Sequence, residues 1–157
     1  MAPPRRTAER SDGAPSPPPH RVAPSAPPRS SAPSTSRPRA DRLRAAVDDQ
    51  HGRCFWCGRA FSTLVPPTTD HVVPRVKGGP SWRENEVAAC RRCNGERGHQ
   101  GPVEWLEECV RRGWSADPAA LAGTLARLDA VIVERGGQRR ARPYLDGQRR
   151  RLERLTR

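Results

Sequence analysis

Residues 68–79 read TTDHVVPRVKGG. Asp70 stands beside His71, an apolar pair and Pro74 follow, and the stretch then runs into Arg75, Lys77 and two glycines. An Asp-His step has three readings: a metal site, half of a catalytic pair, or an ordinary strand end. Thr68 to Pro74 reads as a short strand. Asp70 and Val72 then lie on one face and His71 and Val73 on the other, because side chains alternate along a strand. The residues after Pro74 leave that strand for a loop.

Two cysteine pairs flank this stretch, Cys54-Phe55-Trp56-Cys57 and Cys90-Arg91-Arg92-Cys93. A CxxC turn brings two thiolates close enough to share a zinc ion, and two such turns complete a tetrahedral site. In a reducing compartment this pattern reads as Zn²⁺ ligation rather than disulfides. The segment between the pairs is longer than the ~15–20 residues of a simple zinc ribbon, so it can house a second function. Zinc also compensates for a small core: 34% of residues are hydrophobic and 4% aromatic, and a structural metal contributes folding energy directly. Cys109 stands alone and reads as a buried, inert thiol.

The 157 residues suggest about one domain, and a net charge of +12 points to a polyanionic partner, nucleic acid or an anionic membrane surface. No apolar run is long enough to span a bilayer, and no apolar stretch follows the basic N-terminus as in a secretory signal. The expectation is a cytoplasmic protein that faces nucleic acid and not a membrane. Residues 1–39 hold eleven of the 18 prolines. They are expected to form a disordered arm, either an electrostatic tether to DNA or a plain linker. Residues 40–101 make the core, and residues 102–157 a helical, Arg-rich extension.

Around that core, a short helix is expected from Asp41, its N-cap, with Leu43 and Val47 on one face and Gly52 ending it. His51 at that end reads as exposed. After Pro102, Val103, Leu106, Val110 and Trp114 form one helical stripe. Asp117-Pro118 opens a second stripe of Leu121, Leu125, Leu128 and Ile132. A third helix is expected in the last segment, where nine Arg lie from Arg135 onward. Its basic face serves phosphates or is merely solvated.

Two asparagines complete the pattern: Asn85 in RENEVAAC and Asn94 directly after Cys93. The order CFWC, DHVVPRVKGG, ENEVAAC, CRRCNGERG resembles the HNH endonuclease family across roughly residues 41–100. The resemblance implies an α+β fold: a small zinc-stapled ββα-metal (His-Me finger) core with flanking helices. It implies His71 as general base, Asp70 as a metal ligand and Asn85 as the central Asn that orders the loop. Asn94 falls at the last motif position as a second metal ligand, giving an HNN form. It further implies a structural zinc on Cys54, Cys57, Cys90 and Cys93. Arg97 stands where a Lys is frequent near the phosphate path, and Arg75 and Lys77 join it as nucleic-acid contacts.

The chemistry asks for the same parts. Phosphodiester hydrolysis needs a base near neutral pH, which His supplies, and a cation to neutralise phosphoryl charge. Hard oxygen donors favour Mg²⁺ or Mn²⁺. His99 is an alternative to Asn94 as the closing ligand. The expected function is metal-dependent hydrolysis of DNA. The alternatives are a zinc-knuckle module that binds nucleic acid without catalysis, and an interaction module for an acidic protein.

Overall fold

The computed structural model describes residues 38–157, so all but the last two residues of the expected arm, residues 1–39, lie outside the described residues, and Arg39 opens a helix instead. The first helix, α1, spans Arg39–Asp49. Asp41 is not its N-cap: Pro38 takes that place without a side-chain bond, and Asp41 sits inside the first turn. There its charge complements the helix dipole. Gly52 ends the segment with φ 69°, its N–H reaching Val47 O at 2.9 Å.

Two strands, β1 (Pro67–His71) and β2 (Glu86–Cys90), pair antiparallel with Asp70 opposite Val87 and His71 opposite Glu86. The strand ends at His71 rather than running to Pro74. Val72 N–H bonds to Asn85 O at 2.8 Å, and Val73 N–H turns to the Asn85 side chain, also at 2.8 Å. Both valines are consequently buried instead of alternating. The other edge of β2 is closed by α1, because the Gln50 amide accepts from Ala88 N–H at 2.8 Å and donates to Ala88 O at 2.7 Å. That clamp stands where a third strand would pair and blunts the edge.

Helix α2 (Arg91–Arg97) follows β2 directly and completes a ββα unit, so the fold is α+β as expected. Helices α3 (Pro102–Arg111), α4 (Pro118–Arg135) and α5 (Ala141–Leu155) follow. In α3 the buried stripe is Val103, Trp105, Leu106 and Cys109, while Val110 is exposed. The expected stripe was rotated, because Trp105 is the larger apolar group and turns inward. Trp114 lies beyond the end of that helix and meets Trp105 edge-on at 6.1 Å. In α4 the expected stripe holds. Asp117 caps the helix through Ala119 and Ala120 N–H, and Leu121, Leu125, Leu128 and Ile132 are fully buried. One core runs from Cys54 and Trp56 through the hairpin to these helices and to Leu145 and Leu152 of α5. Among the described residues no helix is long and apolar enough to cross a membrane.

Candidate active site

The cysteine pairs converge. All four Sγ atoms of Cys54, Cys57, Cys90 and Cys93 lie within 4.8 Å of one another, and Cys57 and Cys90 are 3.9 Å apart. Tetrahedral zinc with bonds of about 2.3 Å sets sulfurs about 3.8 Å apart, so the donor set fits a structural zinc. The first knuckle is shaped by Cys54 N–H to Arg59 O and by Gly58 at φ 67°. The second is tied to it by Cys90 N–H, which donates to Cys54 Sγ at 3.3 Å. The Cys93 thiol and nearby backbone amides draw Cys54 down to about 5, while Cys93 is pushed up by the sulfur it faces. Cys109 is apart from the cluster, fully buried, and its thiol is pushed up to about 12 by burial.

Asp70 is 5% exposed on β1. Its Oδ2 accepts from Trp56 Nε1 at 2.7 Å and its Oδ1 from Arg97 Nη1 at 2.7 Å. Arg97 corrects the expectation of a phosphate contact. It is 1% exposed, donates to His71 O at 2.8 Å and Val72 O at 2.6 Å, and lies over the Trp56 ring at 4.9 Å. A guanidinium presents a planar fork of donors, and three acceptors on the inner side hold it there. The signal was present in the sequence as Asp70 and Trp56, two buried groups that need a donor and a partner.

His71 points the other way, onto the face it shares with its cross-strand partner Glu86. Its Nε2 lies 3.3 Å from Ser81 Oγ and 3.6 Å from Glu86 Oε1. Glu86 is buried and gripped by Arg42 of α1, with Nε to Oε2 at 2.7 Å and Nη2 to Oε1 at 3.0 Å. Burial lowers the His71 pKa below its ordinary value. Glu86 and Asp70 act to raise it, and Arg75 and Arg39 to lower it further. The imidazole is therefore neutral at pH 7 and able to accept a proton. Glu86, Arg42 and Ser81 were not singled out from the sequence. Glu86 could have been found from hairpin register, since it follows Asn85 where β2 begins.

Asn94 sits on α2 against β1, its Nδ2 donating to Thr68 Oγ1 at 3.0 Å and Thr69 O at 3.1 Å. Its Oδ1 makes no hydrogen bond among the described residues. Asn85 is fully buried and braces the loop after His71, accepting from Val73 N–H and donating to Val73 O at 3.0 Å and Pro80 O at 2.9 Å. Gly79 is required there, because a Cβ would overlap Val73 O and lie 2.9 Å from Asn85 Nδ2. Arg75 and Lys77 occupy an exposed 3₁₀ turn, Arg75–Lys77. His51 and His99 are exposed. Among the described residues the four cysteines form the one cluster of three or more His, Cys, Asp or Glu donors.

Residues 54–107 match the model of the HNH endonuclease family. The chain is 32% identical over 111 residues to the CRISPR-associated endonuclease Cas9 of Corynebacterium diphtheriae, an alignment covering 62% of this chain and 10% of that protein. The crystal structure of the Type II-C Cas9 enzyme from Actinomyces naeslundii aligns with a TM-score of 0.42 and 25% identity, covering 53% of this chain and 9% of that one. The chain thus spans about a tenth of the length of these relatives. The cysteine-flanked Asp-His hairpin and the helix that carries Asn94 lie within the segment, residues 54–107, that matches the HNH endonuclease family.

Proposed function

We propose that the chain is a divalent-metal-dependent endonuclease that hydrolyses phosphodiester bonds in DNA, with His71 as general base. The observation that carries this reading is the placement of His71. It is a half-buried imidazole at the end of β1, with Nε2 turned toward Ser81 and the Arg42-locked Glu86. A proton on Nε2 donated to that pair leaves Nδ1 as the basic nitrogen, in the tautomer a general base needs.

Asp70 and Asn94 are the hard-oxygen donors for Mg²⁺ or Mn²⁺. Asn94 fits because its amide nitrogen is spent on β1 while its oxygen has no partner among the described residues. Asp70 fits because a carboxylate offers about four lone-pair sites, of which the two bonds from Trp56 and Arg97 use half. When bound, such a cation neutralises charge on the phosphoryl and leaving oxygens. Asn85 holds the loop that sets the position of His71, and Cys54, Cys57, Cys90 and Cys93 hold a separate structural zinc.

The engaged state of Asp70 favours a second reading, a zinc module that binds nucleic acid without cutting it. A plasmid-nicking time course across a Mg²⁺ or Mn²⁺ titration separates the two. His71→Ala is expected to lose roughly 10²–10⁴ in rate while keeping zinc, fold and DNA binding. Asn94→Ala is expected to lose activity that added metal partly restores, which extra metal cannot do for His71→Ala. Wild-type cutting by His71→Ala would end the general-base reading. Asp70→Ala is the less clean variant, since it strands the buried Arg97 charge at a cost of about 3–5 kcal/mol.

A further inference from the structure

Two segments far apart in the chain carry basic residues and no acidic ones: residues 71–83, with Arg75, Lys77 and Arg83, and residues 135–145, with Arg135, Arg139, Arg140 and Arg142. The fold places them side by side at three points. Arg135 lies over the Trp82 ring at 4.8 Å. Arg140 Nη2 reaches Val76 O at 3.4 Å. Lys77 Nζ stands 6.0 Å from the Tyr144 ring centroid. The approach is close enough that Gly78, at φ 90°, leaves no room for a side chain: a Cβ there would lie 2.8 Å from Arg140 Cβ and 3.1 Å from Ala141 N.

The cations on this surface are available. Arg75, Lys77, Arg139, Arg140 and Arg142 are all exposed. Other Arg residues of α5 are engaged by acids, Arg149 by Asp129 and Arg151 by Glu104 and Glu107. The α5 N-terminus, which no side chain caps, adds the positive end of its dipole beside the turn. The surface also adjoins His71, since the turn that carries Arg75 and Lys77 begins four residues after the end of β1.

We propose that residues 71–83 and 135–145 form one phosphate-binding surface that carries the DNA backbone past His71, so that the C-terminal helices belong to the substrate interface. This rests on the nuclease reading for its orientation but is tested on binding alone. Arg83 and Arg135 are paired with Asp49 and Glu84, and the exposed Arg75, Lys77, Arg139, Arg140 and Arg142 are the cations that suit a repeating phosphate, each contact releasing condensed counterions from the duplex.

The test is fluorescence anisotropy of the purified full chain on a labelled duplex, with the divalent metal chelated mildly enough to leave zinc in place, across a salt series. The double variant Arg139→Gln/Arg140→Gln is expected to flatten the log–log salt slope by about 1.8 and to weaken binding by up to about 60-fold near 0.1 M salt, since each phosphate contact contributes a slope of about 0.9. Arg75→Gln/Lys77→Gln should behave alike. Arg154→Gln/Arg157→Gln removes the same charge at the far end of α5, about 21 Å along the helix from Arg140, and should leave the slope near wild type. Loss confined to Arg75 and Lys77, or equal loss from the Arg154 pair, would overturn the proposal. Absence of metal-dependent nicking by the wild-type chain would overturn the nuclease reading and leave this binding result standing.

Discussion

Glu86→Gln tests how the imidazole of His71 is held. Two unit charges 3.6 Å apart interact by about 1.2 kcal/mol in water and about 4.6 kcal/mol at an effective dielectric constant of 20. Arg42 lies 2.7 Å from the other carboxylate oxygen and cancels much of that field. The net effect therefore belongs at the lower end, about 1 kcal/mol, or roughly fivefold in rate. The sign in pH is definite. A general base works when neutral, so the rate rises as pH passes upward through its pKa, and burial centres that limb below pH 6.5. Glu86 raises the His71 pKa and Arg75 lowers it. Glu86→Gln should move the acid limb of kcat/KM to lower pH, and Arg75→Gln should move it to higher pH. The same depressed pKa makes the fold lose stability as pH falls below 6.5, because the unfolded chain takes up the proton first. The assay is single-turnover nicking at saturating metal from pH 5 to 8, with a thermal melt as control for the stranded Arg42. An unmoved limb with a wild-type plateau in Glu86→Gln would refute the reasoning.

Metal analysis of the purified chain should find about one tightly held zinc; Cys90→Ser should lose that zinc and cooperative unfolding together, while Cys109→Ser keeps both. Asn85→Ala removes three buried hydrogen bonds and should cost about 3 kcal/mol in denaturant unfolding; an unchanged midpoint would show the loop is braced elsewhere. Trp56→Phe deletes the donor to Asp70 Oδ2 while leaving most of the packing, and should cost about 1–3 kcal/mol with zinc retained. A stability equal to wild type would mean that Arg97 alone holds the carboxylate.

What could be read from the sequence was set by short-range rules. The CxxC turns, the Asp117-Pro118 helix start and the α4 stripe depend on neighbours within one or two turns, and the structure has them where expected. What could not be read depends on partners distant in the chain. Glu86 matters beside His71 only because the hairpin register pairs them, and only because Arg42, 44 residues earlier, fixes the carboxylate. Arg97 reads as a surface cation until α2 is laid on β1, where Asp70 and two carbonyls take its donors inward. The two acid-free basic segments are 52 residues apart between Arg83 and Arg135. Nothing local says that they meet.

The buried pair of Asp70 and Arg97 joins the two halves of the domain. Desolvating a guanidinium costs several kcal/mol unless its donors are matched. Here Asp70, His71 O, Val72 O and the Trp56 ring do the matching, though its Nε has no hydrogen-bond partner among the described residues. Trp56 belongs to the first cysteine knuckle, Arg97 to the helix that carries Cys93 of the second, and Asp70 to the strand between them. A zinc ion held on the four cysteines would therefore do more than staple a small core: by fixing both knuckles it would fix the two donors that aim the Asp70 carboxylate. The Arg97 charge beside that carboxylate also opposes a second cation there. On the proposed nuclease reading, a hard ion held at Asp70 and Asn94 would keep much of its own water, the coordination habit of Mg²⁺. Softer, imidazole-seeking metals find no second His within the described site, since His99 is exposed beyond the end of α2.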